Sequence, residues 1–317
     1  LIGDAFHWTM PVKSVEAPGT RDENGPQGLT ASLLGNDKSQ LTATAFTSED
    51  VMAATFNTEI MTEIGKVIGN NCLEADIACL YGPGNNIHRT PYGGRNFEYY
   101  SEDGVLSGTM AENAIKGAQE HGVYACMKHF ALNDQEGNRN SMLATWSNEQ
   151  AIREIYLKPF EMSVKDADCH AVMSSFNYIG NRWAGGCKEL LNDVLRGEWG
   201  FVGFVETDYF GVYGYMTADQ AVRNGGDLML CTTGNDYNNV TVLTNSSKQA
   251  MRTAAKNILY TVVNSRAYEA ENLNPGMASW KIVMIGADIV VALLVVGLEY
   301  TAIKGYKKRK EEEAKNV

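Results

Sequence analysis

Asp208 ends an apolar run in GFVETDYFG (residues 203–211), and aromatic residues and a glycine follow it at once. A carboxylate there is either a strand terminus meeting water or an ionised group placed for chemistry. The second role needs donors and positive charge close by. Polar side chains recur at the ends of other apolar runs: Asn85 and His88, Lys128 and His129, and Asn177. Arg95 and Arg139 stand in the polar segments beyond two of them. Lys and Arg donate hydrogen bonds without accepting any, so such a set can grip hydroxyls and keep a carboxylate charged. Taken singly, Lys128 or Arg139 reads as surface charge and His129 as a satisfied core histidine.

These residues need a scaffold that brings strand ends together. DIACLYGPG (76–84) reads as a short buried strand entering a glycine turn, and VYACMKHF (123–130), HAVMSSFN (170–177), FVGFVETD (201–208) and DLMLC (227–231) as further strands. A helix is expected over about 107–121, with Gly122 in the C′ position that tolerates left-handed backbone. Ser147 with Gln150 predicts a capping box, opening a helix with Ile152, Ile155, Tyr156 and Phe160 on one face. ELLNDVLRGEWG (189–200) predicts another helix with a glycine stop. Strand–helix repeats with near-continuous apolar strands predict a parallel sheet, open or closed. In a (β/α)8 barrel all C-terminal strand ends share one mouth, whereas an open sheet shares only its switch point. So many polar strand ends favour an α/β fold of the TIM-barrel type, regular or distorted, followed by a C-terminal transmembrane helix.

The chain has 317 residues, 44% of them hydrophobic, enough for one large domain or two small ones. Net charge is −11, and residues 1–300 carry 21 basic against 35 acidic groups. An acidic body argues against nucleic acid as a partner, and no GxxxxGK[ST] phosphate loop is present. The six cysteines are scattered without a CxxC pair, giving neither a zinc site nor a disulfide framework. No metal and no cofactor is expected. LIGDAFHW, at the start, reads like the middle of a domain, so a longer parent chain is expected.

Ile282 to Ile303 is a 22-residue, mostly apolar stretch, about 33 Å long as a helix. Trp280 stands at one border, and Lys304, Lys307, Lys308, Arg309 and Lys310 crowd the other. By the positive-inside rule the tail is cytoplasmic and the body lies outside a cell membrane crossed once. Asp288 weighs against insertion, at roughly 2.5–3.5 kcal/mol near the centre, while Glu299 can reach the interface. The expected layout is a barrel domain over 1–268, a linker at 269–280, a membrane helix at 281–303 and a basic tail at 304–317.

GPGNNIHRTPYGGRNFEYYSED (82–103), CMKHFALNDQEGNR (126–139), REIYLKPFE (153–161), VMSSFN (172–177), LRGEWGFVGFVETD (195–208) and GGDLML (225–230) together resemble glycoside hydrolase family 3, from about residue 8 to residue 268. The resemblance implies a retaining exo-β-glycosidase of the β-glucosidase kind, acting on glycosides or oligosaccharides through a covalent glycosyl-Asp intermediate. Such an enzyme needs two carboxyl groups about 5–5.5 Å apart. The resemblance makes Asp208 the nucleophile. It puts Asn24, Arg95, Lys128, His129, Arg139, Met173, Phe176 and Tyr209 around the sugar, with Glu98 partnering Arg95 or a neighbour.

Three departures bear on this. Asn24-Gly25-Pro26 stands where the family has Asp-Gly-Pro, so either Asn24 or Asp22 reaches the distal hydroxyls. Tyr209 replaces a usual Trp, and Phe176 a usual Tyr. The ALNDQEGNR loop after KHF carries no His, which is similar to the branch whose acid/base is a Glu on a separate α/β sandwich. After residue 268 only a short linker and the apolar helix follow, so that domain is expected upstream of Leu1. The alternative is a membrane-anchored sugar-binding protein with a degenerate pocket.

Overall fold

The computed structural model describes residues 11–30, 43–210, 213–231, 239–268 and 279–315. Two compact units divide the chain, Leu1–Glu269 and Ala270–Val317. Residues 1–10 and most of the expected linker, 269–278, lie outside the described residues.

In the first unit, β1 (Asp22–Asn24), β2 (Cys79–Tyr81), β3 (Tyr124–Phe130), β5 (Ala171–Ser174) and β8 (Phe204–Thr207) pair in that order, all in parallel. The intervening β4 (Ala144–Thr145), β6 (Tyr178–Ile179) and β7 (Arg182–Trp183) form a separate small sheet. Sequential parallel pairing with helical crossovers is a TIM-barrel-like α/β arrangement. The strand expected at 227–231 is reduced to bridge residues at Leu228 and Met229, the first paired in parallel with Glu206. The other predicted strands are shorter than expected, because pairing ends where the chain turns toward its loops.

Several helices pack against one face of this sheet. Helix α1 is short (Glu49–Ala53). Helix α2 (Thr58–Glu74) starts where the Asn57 side chain accepts from the Glu59 and Ile60 amides, at 3.0 and 3.1 Å. Helix α3 (Gly104–Gln119) starts likewise at Asp103, and Gly122 follows it with φ +70°. Both packing faces have glycine at their closest approach. A Cβ on Gly65 would lie 2.2 Å from the Ala114 carbonyl oxygen, and one on Gly117 2.2 Å from that of Thr62.

The helix expected after Ser147 is capped instead by Asn148, whose side chain accepts from the Ala151 amide at 2.8 Å. Helix α4 (Glu149–Ala151) then widens into a π-helical stretch, Ile152–Tyr156, before α5 (Lys158–Lys165). The Leu157 amide reaches back to Ile152, five residues away, at 2.8 Å. That wider turn breaks the 3.6-residue period, so Phe160 is buried while Ile155 is exposed. A second π-helical segment, Glu189–Glu198, fills the predicted helix at 189–200.

Side chains alternate across the strands. Met127, Val172 and Val205 face the helices, packing with Phe160, Leu191 and Leu195. Tyr124, Cys126, Ala171, Met173 and Phe204 share the opposite, interior face. Two carboxyls are buried in the same interior. Asp22 lies among Thr20, Tyr81 and Tyr124, at 3.0, 3.5 and 3.5 Å. Glu206 meets the Cys126 thiol at 2.9 Å. Burial raises Asp22 to about 8, against which those hydroxyl donors work only in part. All six cysteines are buried free thiols.

The second unit contains α8 (Ser279–Lys315), of which Ile282–Lys310 is long and apolar enough to cross a membrane. Between α5 and α8 lie α6 (Ala218–Arg223) and α7 (Asn245–Val263), both in the first unit.

A proton held on Asp22 in the fold, and lost from the unfolded chain near pH 4, stabilises at acid pH and is lost as pH rises toward 8. The Asp22→Asn variant should therefore lose less stability between pH 4.5 and 7.5, by about 1 kcal/mol per pH unit, in urea melts at the two values.

Candidate active site

β8 hands the chain over at Asp208, whose amide still donates to the Ser174 carbonyl of β5 at 3.0 Å. The carboxylate therefore leaves the end of the sheet in a fixed direction. Arg139 Nη1 donates to its Oδ2 at 2.7 Å, and the Tyr209 amide donates to Oδ1 at 2.7 Å. His129 Nε2 stands 3.7 Å from Oδ2. The Asp208 side chain keeps 11% exposure, enough to be approached from one side.

Lys128 and His129 come from the end of β3, Arg139 from the loop after it, and Arg95 from the loop after β2. Glu98 ties the first and last of these together. It accepts from Arg95 Nη2 at 2.6 Å and pairs with Lys128 Nζ at 2.7 Å. Burial opposes the charge on Glu98, yet Lys128 and Arg95 outweigh it and hold the carboxyl at about 2. Glu136 does the same from the more open side, 2.8 Å from Arg139 Nε and 3.7 Å from Arg95 Nη1. The cluster thus balances three cations, Arg95, Lys128 and Arg139, against three carboxylates, Glu98, Glu136 and Asp208.

His129 is kept neutral. Burial lowers its pKa most, and Arg95, Lys128 and Arg139 lower it further. Its Nδ1 lies 3.3 Å from the Tyr99 hydroxyl, which in turn accepts from Asn133 Nδ2 at 3.1 Å. A Tyr99 O–H donated to Nδ1 puts the ring proton on Nε2, facing Asp208. Asn86 fixes the His129 backbone from both sides, accepting from its amide at 2.8 Å and donating to its carbonyl at 3.0 Å. Tyr99, Asn86 and Asn133 were not singled out in the sequence. Their signal was only their place inside the GNNIH, EYY and LND stretches.

The other expected residues divide by depth. Asn24 lies at the end of β1 and its Oδ1 accepts from Lys128 Nζ, whereas Asp22 points into the sheet interior two residues deeper. Met173 is in register with Lys128 and Glu206 and is buried beneath the cluster. Phe176 lies under Arg139, its ring centre 4.5 Å from the guanidinium carbon. Tyr209 is half-buried against the aromatic cluster of Phe176, Trp183 and Phe210. Three polar strand ends do other work. Asn85 donates to Ser163 Oγ at 2.9 Å, His88 meets the Asn96 carbonyl at 2.8 Å, and Asn177 donates to Thr145 Oγ1 at 3.0 Å. They fasten loops and helices to the sheet. A groove of about 600 Å³ lies between the loops after β2 and β3, lined by Arg89, Asp134, Gln135 and Trp146 rather than by Asp208.

The family model for the glycosyl hydrolase family 3 N-terminal domain matches residues 30–259. The chain belongs to glycosyl hydrolase family 3. It is 36% identical over 223 residues to a probable beta-glucosidase I of Aspergillus niger, covering 70% of this chain and 26% of that one. To the thermostable beta-glucosidase B of Acetivibrio thermocellus it is 37% identical over 211 residues, 65% of this chain and 28% of that one. The chain thus spans about a quarter of the length of these curated relatives. Beta-glucosidase 3B from Thermotoga neapolitana, solved with α-D-glucose, superposes with a TM-score of 0.75 at 35% identity, over 85% of this chain and 39% of that one. The beta-glucosidase of Kluyveromyces marxianus, solved with glucose, gives a TM-score of 0.75 at 29% identity, over 83% and 32%.

Glu98 stabilises the fold through its ionised form, a contribution complete above pH 4.5 and lost as pH falls toward 2. Glu98→Gln should cost about 3 kcal/mol at pH 7, by leaving Arg95 and Lys128 without their shared anion. In urea melts the gap to the parent should narrow at pH 3.5.

Proposed function

We propose that this chain is the barrel half of a retaining exo-β-glycosidase of the β-glucosidase kind, with Asp208 as nucleophile. One observation carries the reading: a partly exposed carboxyl group at a strand end, gripped by Arg139 and one backbone amide amid further cations. Family membership and the beta-glucosidase relatives support it. In this reading the sheet closes into the eight-stranded barrel of the TIM type.

Asp208 attacks the anomeric carbon of a bound β-linked sugar, and a C–O bond to the carboxylate forms as the bond to the leaving oxygen breaks. Water then displaces the carboxylate and releases the sugar with retained configuration. Arg139 and the Tyr209 amide hold the two carboxyl oxygens and fix the attacking direction. Lys128, Arg95 and the Nε2–H of His129 supply donors for sugar hydroxyls, and Asn24 extends that set through Lys128. Tyr209 and Phe176 wall the site with rings suited to sugar C–H faces, and Met173 forms its floor.

The leaving oxygen needs a proton. Glu98 is held ionised at about 2 by Lys128 and Arg95, so it is a poor acid near neutral pH. Glu136 is committed to Arg139 and Arg95. The acid/base is therefore assigned to a domain outside this chain, an α/β sandwich upstream, with α8 anchoring the protein in a membrane and its basic tail on the cytoplasmic side. A degenerate sugar-binding pocket is the second reading, favoured by the neutral Asn24 and by Phe176, which offers no hydroxyl to the nucleophile.

Incubation with an activated 2-fluoro glycoside should add one sugar mass to the Asp208 peptide. Labelling of another carboxylate, with Asp208 untouched, would overturn the assignment. Lacking a general acid, residues 1–280 should release dinitrophenolate far better than they cleave a disaccharide, with the preference shrinking in the full-length protein. General acid catalysis typically contributes 10²–10⁴-fold, and this sets the expected deficit. Equal disaccharide rates would place the acid inside the barrel.

A further inference from the structure

The helix α8 is described without a break through Lys315, and its apolar part carries two acidic side chains, Asp288 and Glu299. They stand eleven positions apart, about three helical turns, so both lie on one stripe of the helix together with Ala292 and Val295. Asp288 is six residues inside Ile282, about 9 Å along the axis. Its neighbours on that stripe, one turn away on either side, are Met284, Ile285, Val291 and Ala292, and none can donate a side-chain hydrogen bond. The nearest basic position toward that end is residue 281, two turns off.

Within hydrocarbon a carboxyl in this position is costly unless a partner satisfies it, and intramembrane carboxyls characteristically face a protein neighbour rather than lipid. We propose that the stripe of α8 marked by Asp288 and Glu299 is a docking face for a second membrane helix that carries a Lys or Arg at the depth of Asp288. Charge complementarity selects that occupant over another copy of this chain, which would bring like carboxyls together at both depths. Ala292, one turn from Asp288, lets the partner backbone come close to the acidic side chain. The inference rests on the membrane reading of α8.

The test uses the full chain, labelled with a donor fluorophore at its C-terminus and reconstituted in phosphatidylcholine vesicles. The probe is a synthetic Leu–Ala membrane helix bearing one Lys six residues from one end and an acceptor label. A second probe has Leu in place of Lys. The parent should bind the Lys probe about 5–30-fold more tightly than the Leu probe, the range that polar contacts between membrane helices give in model peptides. Asp288→Leu should abolish the preference, and because it makes the helix more apolar, poor insertion cannot explain the loss. Equal binding of the two probes overturns the proposal. So does self-association of the labelled chain that depends on Asp288, which would make a second copy the occupant. Extraction of the protein from vesicles by alkaline carbonate is read separately, and it would remove the membrane reading itself.

Discussion

The mouth of this sheet is held together by a charge balance in a nearly dry place. Arg95, Lys128 and Arg139 converge there, and each would be expensive to bury alone. Glu98, Glu136 and Asp208 pair with them at 2.6 to 2.8 Å at their closest. Arg95 and Arg139 each touch two of these carboxylates, whereas Lys128 depends on Glu98 alone, so removing Glu98 leaves the Lys128 ammonium uncompensated. Burial is the main reason His129 is neutral, and the three neighbouring cations oppose a fourth positive charge further.

The balance is asymmetric in a useful way. Glu98 lies deepest and touches two cations, so it stabilises without being available to a ligand. Asp208 touches one cation and one amide and keeps an exposed side. The two carboxyl groups thus differ in how many of their lone pairs are already taken. Loops fastened by Asn85, Asn86 and Asn177 hold the donors at fixed heights above the sheet, which preorganises the cluster. Beneath it, Asp22 and Glu206 fill the interior as carboxyls that burial keeps protonated.

Much of this was legible in the residue order. Apolar runs of strand length ending in Lys128-His129 and in Asp208 gave both the parallel sheet and the group that meets at its mouth. The spacing of those blocks carried the family. The 22 mostly apolar residues before the basic tail marked the one helix among the described residues that is long and apolar enough for a bilayer, because length and hydropathy are local properties of the chain. The Gly122 signal placed the end of α3 for the same reason, whereas its start, at Gly104 behind the Asp103 cap, lies three residues before the expected 107.

Tertiary structure decided what local pattern leaves open. Ser147 and Asn148 are both good caps, and only the packing of the following turn selected Asn148; the same wide turn exposed Ile155, which a regular period would have buried. Asn24 and Asp22 were equal candidates for one role until β1 paired with β2. Register then sent Asp22 into the interior and left Asn24 on Lys128. The part of Glu98 in joining Arg95 to Lys128 depends on two loops that are distant in sequence. Sequence fixes which groups are available, but whether a carboxylate is spent on the fold or left for a substrate depends on distances of a few ångströms between separate segments.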